Sequence, residues 1–110
     1  MNTNTQHLLE QFESLSNKVV LYFPDNHSDN IAAAVDRIIT IVGGCTVTPG
    51  NHGYWKDDTG KLYIDDITLI TVFCDDDLIA PLIHLANNIR VEYNQICISL
   101  EVNGHLLFIE

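Results

Sequence analysis

Apolar and polar residues alternate along this chain in two rhythms, one belonging to strands and the other to helices. Residues 18–23 (Lys-Val-Val-Leu-Tyr-Phe) form an apolar run closed by Pro24, the pattern of a strand in the middle of a sheet. Residues 25–29 read as a loop. Ile31, Val35, Ile38 and Val42 then share one helical face, which Ala34 and Ile41 widen. Ser28, Asp29 and Asn30 are candidate caps, and Gly43-Gly44 is a stop. A strand starts at residues 45–48 and meets a turn or bulge at Pro49-Gly50-Asn51-His52-Gly53. Residues 54–56 and 61–64 are the arms of a hairpin around Asp58-Thr59-Gly60, with Gly60 in the left-handed position. Residues 67–73 are apolar or β-branched on both alternating faces, so this strand is expected to be buried.

Asp75-Asp76-Asp77 supplies a cap and favourable charge for a second helix, with Pro81 in its first turn. Leu82, Leu85, Ala86, Ile89 and Tyr93 form its buried stripe, and Asn94-Gln95 closes it. Residues 96–102 and 105–110 flank Asn103-Gly104, a strong hairpin signal. A two-residue turn there pairs Val102 with His105, Leu100 with Leu107 and Ile98 with Ile109 on one dry face. The other face carries Cys97, Ser99, Glu101, Leu106, Phe108 and Glu110, and its Leu and Phe suit a subunit contact. Residues 5–15 form a short amphipathic helix with Leu8, Phe12 and Leu15 on its stripe.

Two strand-helix-strand crossovers with a hairpin between them describe an α+β, ferredoxin-like (βαββαβ) sandwich. It has an extra C-terminal hairpin strand and a short N-terminal helix. Residues 1–17 are expected to be a helical extension and residues 18–110 the domain. Both helices lie on one side of such a sheet, so a homo-oligomer is expected to cover the other.

The chain has 110 residues, 46% of them hydrophobic, enough for one self-sufficient core. Its formal net charge is −10, from 15 acids against five bases. There is no basic stripe to release counterions from a phosphate backbone, which argues against direct nucleic-acid binding. The acidity fits solubility, a basic protein partner, or mimicry of a nucleic acid's charge. Cys45, Cys74 and Cys97 make no Cys-x-x-Cys pair and lie in or beside strand patterns, as buried reduced thiols of a cytoplasmic protein do. The N-terminus lacks a basic region followed by an apolar block, and no run is long enough to span a membrane, so neither a signal peptide nor a membrane contact is expected.

The histidines have no metal-ligand spacing. A site assembled from His27, His52 and an Asp has no motif behind it, and no metal or other cofactor is expected. There is no Gly-x-Ser-x-Gly elbow, and no Lys-Ser/Thr follows the Gly-rich segment before Tyr54. The densest chemistry lies in residues 53–63, which hold the only Trp and two of the five basic residues. Tyr54, Trp55 and Lys56 are suited to stacking on a base and contacting a phosphate, with Tyr54 and Lys56 on one face and Trp55 on the other. Arg90 and Asn94 stand one helical turn apart, and Arg90 is one of only two arginines, making it the best anion contact. Gln95 follows them.

The segment Gly53-Tyr54-Trp55-Lys56-Asp57-Asp58-Thr59-Gly60, with Gln95 just before the strand at Ile96, resembles a family of small bacterial and phage proteins. Those carry a Gly-x-Trp-x-Asp-x-x-Gly hairpin and a Gln before the last core strand. The resemblance covers residues 18–102 and implies a ferredoxin-like fold without implying an activity. The arrangement also resembles the P-II signalling proteins, trimers that bind nucleotides between subunits, although their nucleotide-loop motifs are absent. Short length, acidity and expected oligomerisation resemble phage anti-defence sponges, which sequester cyclic nucleotide signals.

The leading expectation is therefore a noncatalytic, homo-oligomeric binding protein for a small anionic, nucleotide-derived ligand, of the sponge kind. Tyr54, Trp55, Lys56 and Arg90 would bind it, assisted by Asn94 and Gln95. The alternatives are an acidic protein–protein inhibitor of anti-CRISPR or anti-restriction type, and a small carboxylate-dependent enzyme.

Overall fold

A computed structural model describes residues 2–24 and 30–110. Its elements are α1 (Thr3–Leu9), β1 (Asn17–Pro24), α2 (Ile31–Val42), β2 (Thr46–Lys56), β3 (Leu62–Cys74), α3 (Ile79–Glu92), β4 (Ile98–Val102) and β5 (His105–Ile109). A short 3-10 turn, Asp76–Leu78, leads into α3. The strands form one sheet in the order β2-β3-β1-β4-β5, antiparallel at every pairing. This is the ferredoxin-like α+β arrangement with one strand added beside β4, as the element order predicted. No helix among the described residues is long and apolar enough to cross a membrane.

β1 is the central strand because its apolar run can be buried on both faces. Val19, Leu21 and Phe23 point toward α2 and α3 and are 1%, 5% and 0% exposed. They meet Ala34 and Ile38 of α2 and Leu82, Leu85, Ala86 and Ile89 of α3. The Tyr93 ring closes the core edge-on against Phe23, with centroids 5.8 Å apart. α2 ends where Gly43 adopts φ 89° and its N–H bonds to the Ile39 carbonyl at 2.7 Å. Asn30 occupies its N-cap position without a side-chain bond; Ser28 and Asp29, the other candidate caps, lie outside the described residues, as does the expected loop at 25–29. Pro81 falls in the first turn of α3, where its missing N–H leaves no bond unmade.

Three local expectations need correction. The N-terminal helix spans Thr3–Leu9, shorter than expected, and buries none of its residues; Leu8, Phe12 and Leu15 stay exposed. β3 is one continuous strand buried on one face only, since Phe73 on the other is 54% exposed. Cys74 is buried, but Cys45 and Cys97 are only half-buried.

The β4–β5 hairpin has the expected register, Ile98 opposite Ile109 and Val102 opposite His105. Asn103 and Gly104 take φ 51° and 84°, as a type I′ turn requires. Asn103 does more than turn the chain. Its backbone N–H donates to the Lys18 carbonyl (2.9 Å), and its side-chain oxygen accepts the Lys18 N–H (2.8 Å). Its amide also donates to the Asn17 side-chain oxygen at 2.8 Å. Asn17, 5% exposed, donates in turn to Asp76 (2.7 Å) and to the Cys74 carbonyl (3.2 Å). This chain of bonds ties the start of β1 to the end of β3 and to the last hairpin. Asn17→Leu should therefore lower stability by about 2–4 kcal/mol, because it leaves several partners unpaired near the core. Equilibrium urea unfolding measures this; a loss below about 0.5 kcal/mol would mean the network is incidental.

Candidate functional site

The hairpin of β2 and β3 extends past the region covered by helices. Its register shifts between Thr48 and Asn51, where Pro49 and Gly50 form a bulge and Gly50 takes φ 79°. Beyond the bulge the pairing resumes from Asn51 opposite Ile67 to Lys56 opposite Leu62. The arm's turn is held by Asp57, whose carboxylate accepts from the Thr59 N–H (2.9 Å), the Thr59 hydroxyl (2.6 Å) and the Lys61 N–H (3.0 Å). The Tyr63 hydroxyl reaches its other oxygen at 3.3 Å. Gly60 takes φ 87°, the left-handed position expected of it.

Alternation places Trp55, Tyr63 and Asp65 on the face of the arm that continues the sheet's helix-free side. The Trp55 and Tyr63 rings stack at 4.4 Å with planes 13° apart. The Trp55 indole N–H donates to Asp65 Oδ2 at 2.7 Å, and the Lys61 ammonium lies 4.9 Å from the Tyr63 ring centre. On the opposite face His52 Nδ1 sits 2.8 Å from Asp66.

Between this arm and β5 the helix-free face forms an open groove of about 910 Å³. Tyr22 and Pro24 of β1 and Ser99 of β4 form its floor. Gly53, Trp55, Asp65 and Ile67 form the arm wall, bordered by Tyr54, Ile64 and Asp66. Leu106 and Phe108 of β5 stand opposite, with Gln95 and Cys97 at the end. The residues lining this groove include aromatic planes and the Asp65 carboxylate but no Lys, Arg or His; Asp66 borders it with its carboxylate turned to His52.

Tyr22 follows from the strand period: with Leu21 and Phe23 in the core, it must face the groove. Burial raises its phenol above the usual 10.0, and the adjacent Glu101 carboxylate, with which it hydrogen-bonds, raises it further. Two of the thiols are held away from the thiolate form. Burial raises Cys97, helped by Glu110 and opposed by Arg90; burial and then Asp75, Asp77 and Asp76 raise Cys74.

The expected site residues divide in two. Tyr54, Trp55 and Gln95 border the groove. Lys56, Arg90 and Asn94 do not line it. Arg90 donates to Asn87 (3.1 Å) and to the Gln95 carbonyl (3.5 Å). Asn94 takes φ 53° and ends α3 in a Schellman-type turn, with the Gln95 N–H bonding the Arg90 carbonyl at 2.9 Å. Tyr22, Asp65, Ser99 and Phe108 were not anticipated. His52 is paired with Asp66, and His27, its imagined companion in a metal site, lies outside the described residues.

No family model matches the chain, and no curated protein matches it. Solved structures do, and two of them are of a phage SAM lyase. A phage SAM lyase in its apo state matches with a TM-score of 0.66 at 13% identity, over 89% of this chain and 94% of that one. The phage SAM lyase in complex with S-methyl-5'-thioadenosine matches with a TM-score of 0.64 at 14% identity, over the same shares. The fold is thus shared, nearly end to end, with an enzyme. This overturns the expectation of a noncatalytic sponge, which leaned on the lack of catalytic motifs in the sequence. The phage setting of these neighbours agrees in part with the anti-defence resemblance.

Two outcomes follow from the ionisable groups. The depressed Asp57 carboxyl, held down mainly by the Thr59 hydroxyl, stabilises the arm above its ordinary value of 3.8 and loses that effect as pH falls through the lower folded value. Emission from Trp55, the only Trp, should shift in that acid range before far-UV ellipticity changes. An unchanged spectrum down to global unfolding would show the arm does not depend on this carboxylate. Tyr22 works the other way. Its raised value stabilises the fold below pH 10.0, and the contribution fades as pH climbs through the higher folded value. Tyr22→Phe should flatten the alkaline limb of thermal stability; an alkaline limb identical to wild type would remove Tyr22 from that account.

Proposed function

We propose that the chain is a small enzyme that cleaves a sulfonium nucleoside of the S-adenosylmethionine type in the helix-free groove. The observation that carries this reading is the lining: aromatic planes and the carboxylate of Asp65, without a basic side chain. Such a lining attracts a cation and repels a phosphate. A sulfonium that also bears an ammonium and one carboxylate is a net cation, so it fits where an anionic nucleotide does not. The likeness in fold to the phage SAM lyase supports the same choice.

The chemistry asks little of the protein. The bond between sulfur and the carbon of the amino-acid chain breaks, and its electron pair stays on sulfur, which becomes a neutral thioether. The carbon fragment balances by closing on its own carboxylate oxygen, so that a C–O bond forms as the C–S bond breaks and no proton has to be taken up. Tyr22, backed by Glu101, is the polar group on the groove floor suited to hold that end of the substrate. An apolar wall of Leu106 and Phe108 lowers the polarity beside the sulfur and favours the step that extinguishes its charge. Trp55 and Gln95 contact substrate; Tyr54, on the opposite face of the arm, only borders the groove, and Lys56, Arg90 and Asn94 are left to the arm and the helix end. The working form is a homo-oligomer, because Phe73 and Phe108, 54% and 65% exposed, leave a broad apolar face open.

Incubation with S-adenosylmethionine, followed by liquid chromatography and mass spectrometry, should yield S-methyl-5'-thioadenosine. Tyr22→Phe should slow its appearance by about tenfold to a hundredfold. If the folded protein leaves S-adenosylmethionine intact and binds neither compound by calorimetry, the reading fails. Light scattering on a sizing column should give a multiple of the 12.4 kDa chain mass, and Phe108→Glu should reduce it; a monomeric wild type would sink the oligomer.

A further inference from the structure

We infer that the arm end of the groove is a subsite for a 6-aminopurine, in which Trp55 stacks on the base and Asp65 accepts a hydrogen bond from its exocyclic amine. The inference rests on the reading of a nucleoside substrate given above, and it names which end of the groove holds the base.

Trp55 is restrained before any ligand arrives. Tyr63 covers one ring face at 4.4 Å, and Asp65 Oδ2 holds the indole N–H at 2.7 Å. Tyr63 is itself anchored through its hydroxyl to Asp57. A ring fixed in this way loses little freedom when a base stacks on it. Trp55 nevertheless remains 49% exposed, so much of its surface is free.

Beside it, Ile67 lies flat over Gly53, two residues earlier on the same face: a Cβ there would stand 2.8 Å from Ile67 Cδ1, so a side chain at this position would displace Ile67. Asp65 lies opposite Gly53 in the strand pairing, which sets its carboxylate on the same face as Trp55. One of its oxygens takes the indole bond. A carboxylate only accepts, so its remaining capacity selects a donor. The amine of a 6-aminopurine is such a donor, and an unsubstituted purine has none at that position. The nucleoside's sulfur end then runs along the sheet toward Tyr22.

The test uses adenosine and purine riboside, which differ only in the exocyclic amine. Adenosine should quench Trp55 emission at a concentration roughly tenfold lower than purine riboside does. Asp65→Asn keeps an oxygen for the indole but replaces the second acceptor by a donor, and should bring the two ligands to within about twofold. Trp55→Leu, followed by calorimetry, should weaken adenosine by roughly tenfold or more, the usual loss of a base–aromatic stack. Both residues lie on the arm outside the core, and circular dichroism checks that each variant is folded. The subsite is overturned if wild type binds the two nucleosides equally or fails to bind adenosine, or if Asp65→Asn preserves the gap. Adenosine discrimination without cleavage of S-adenosylmethionine would uphold the subsite and remove the lyase. Cleavage with equal binding of the two nucleosides would do the reverse.

Discussion

Everything in this molecule depends on β1 being hydrogen-bonded along both edges while its side chains alternate between two environments. β3 pairs with it from Asn17 to Pro24 and β4 from Val19 to Tyr22. Because Val19, Leu21 and Phe23 are committed to the helices, the intervening side chains face the other way. A slip of one residue would exchange Tyr22 for Phe23 and put the phenol among aliphatic side chains. The bonds from Asn17 and Asn103 guard that register at the strand's first residue, where a slip would begin. The core and the floor of the groove are thus two readings of one strand.

The groove owes its polarity to where the positive charges are spent. Arg37 pairs with Glu92 at 2.8 Å on the helical side. Arg90 is turned toward Asn87 and a loop carbonyl, and Lys61 lies over Tyr63. What lines the groove is carboxylate, phenol, indole and phenyl. In a surface already carrying a formal −10, this leaves negative charge beside a concave apolar wall.

The fold was legible in the sequence because its signals are local. The steps of three and four in α2, the Asn103-Gly104 turn and the apolar run of β1 each specify an element without help from distant residues. The hairpin that brings Tyr54 and Trp55 beside the groove was legible for a similar reason, its Asp58-Thr59-Gly60 turn being a local signal. Tyr22 and Asp65 were not. Their importance comes from what lies across the sheet from them, Ser99 and Glu101 for one and Gly53 for the other, at separations the chain pattern does not encode. Arg90 misled in the opposite sense: a scarce cation drew attention, but the tertiary structure uses it to hold the end of α3. The length of α1 was overestimated because Phe12 and Leu15 continue an apolar rhythm that nothing in the described structure packs against.

The arm also gives the molecule an unusual outline. The Cα radius of gyration is 16.0 Å, against about 13 Å for a compact chain of this length. The bulge at Pro49 and Gly50 is a seam between two territories. On one side lie residues whose replacement threatens folding. On the other lie Trp55 and Asp65, outside the core cluster. Substitutions at such positions cost the scaffold less than substitutions in the core, so the arm is where this surface can change while the fold persists.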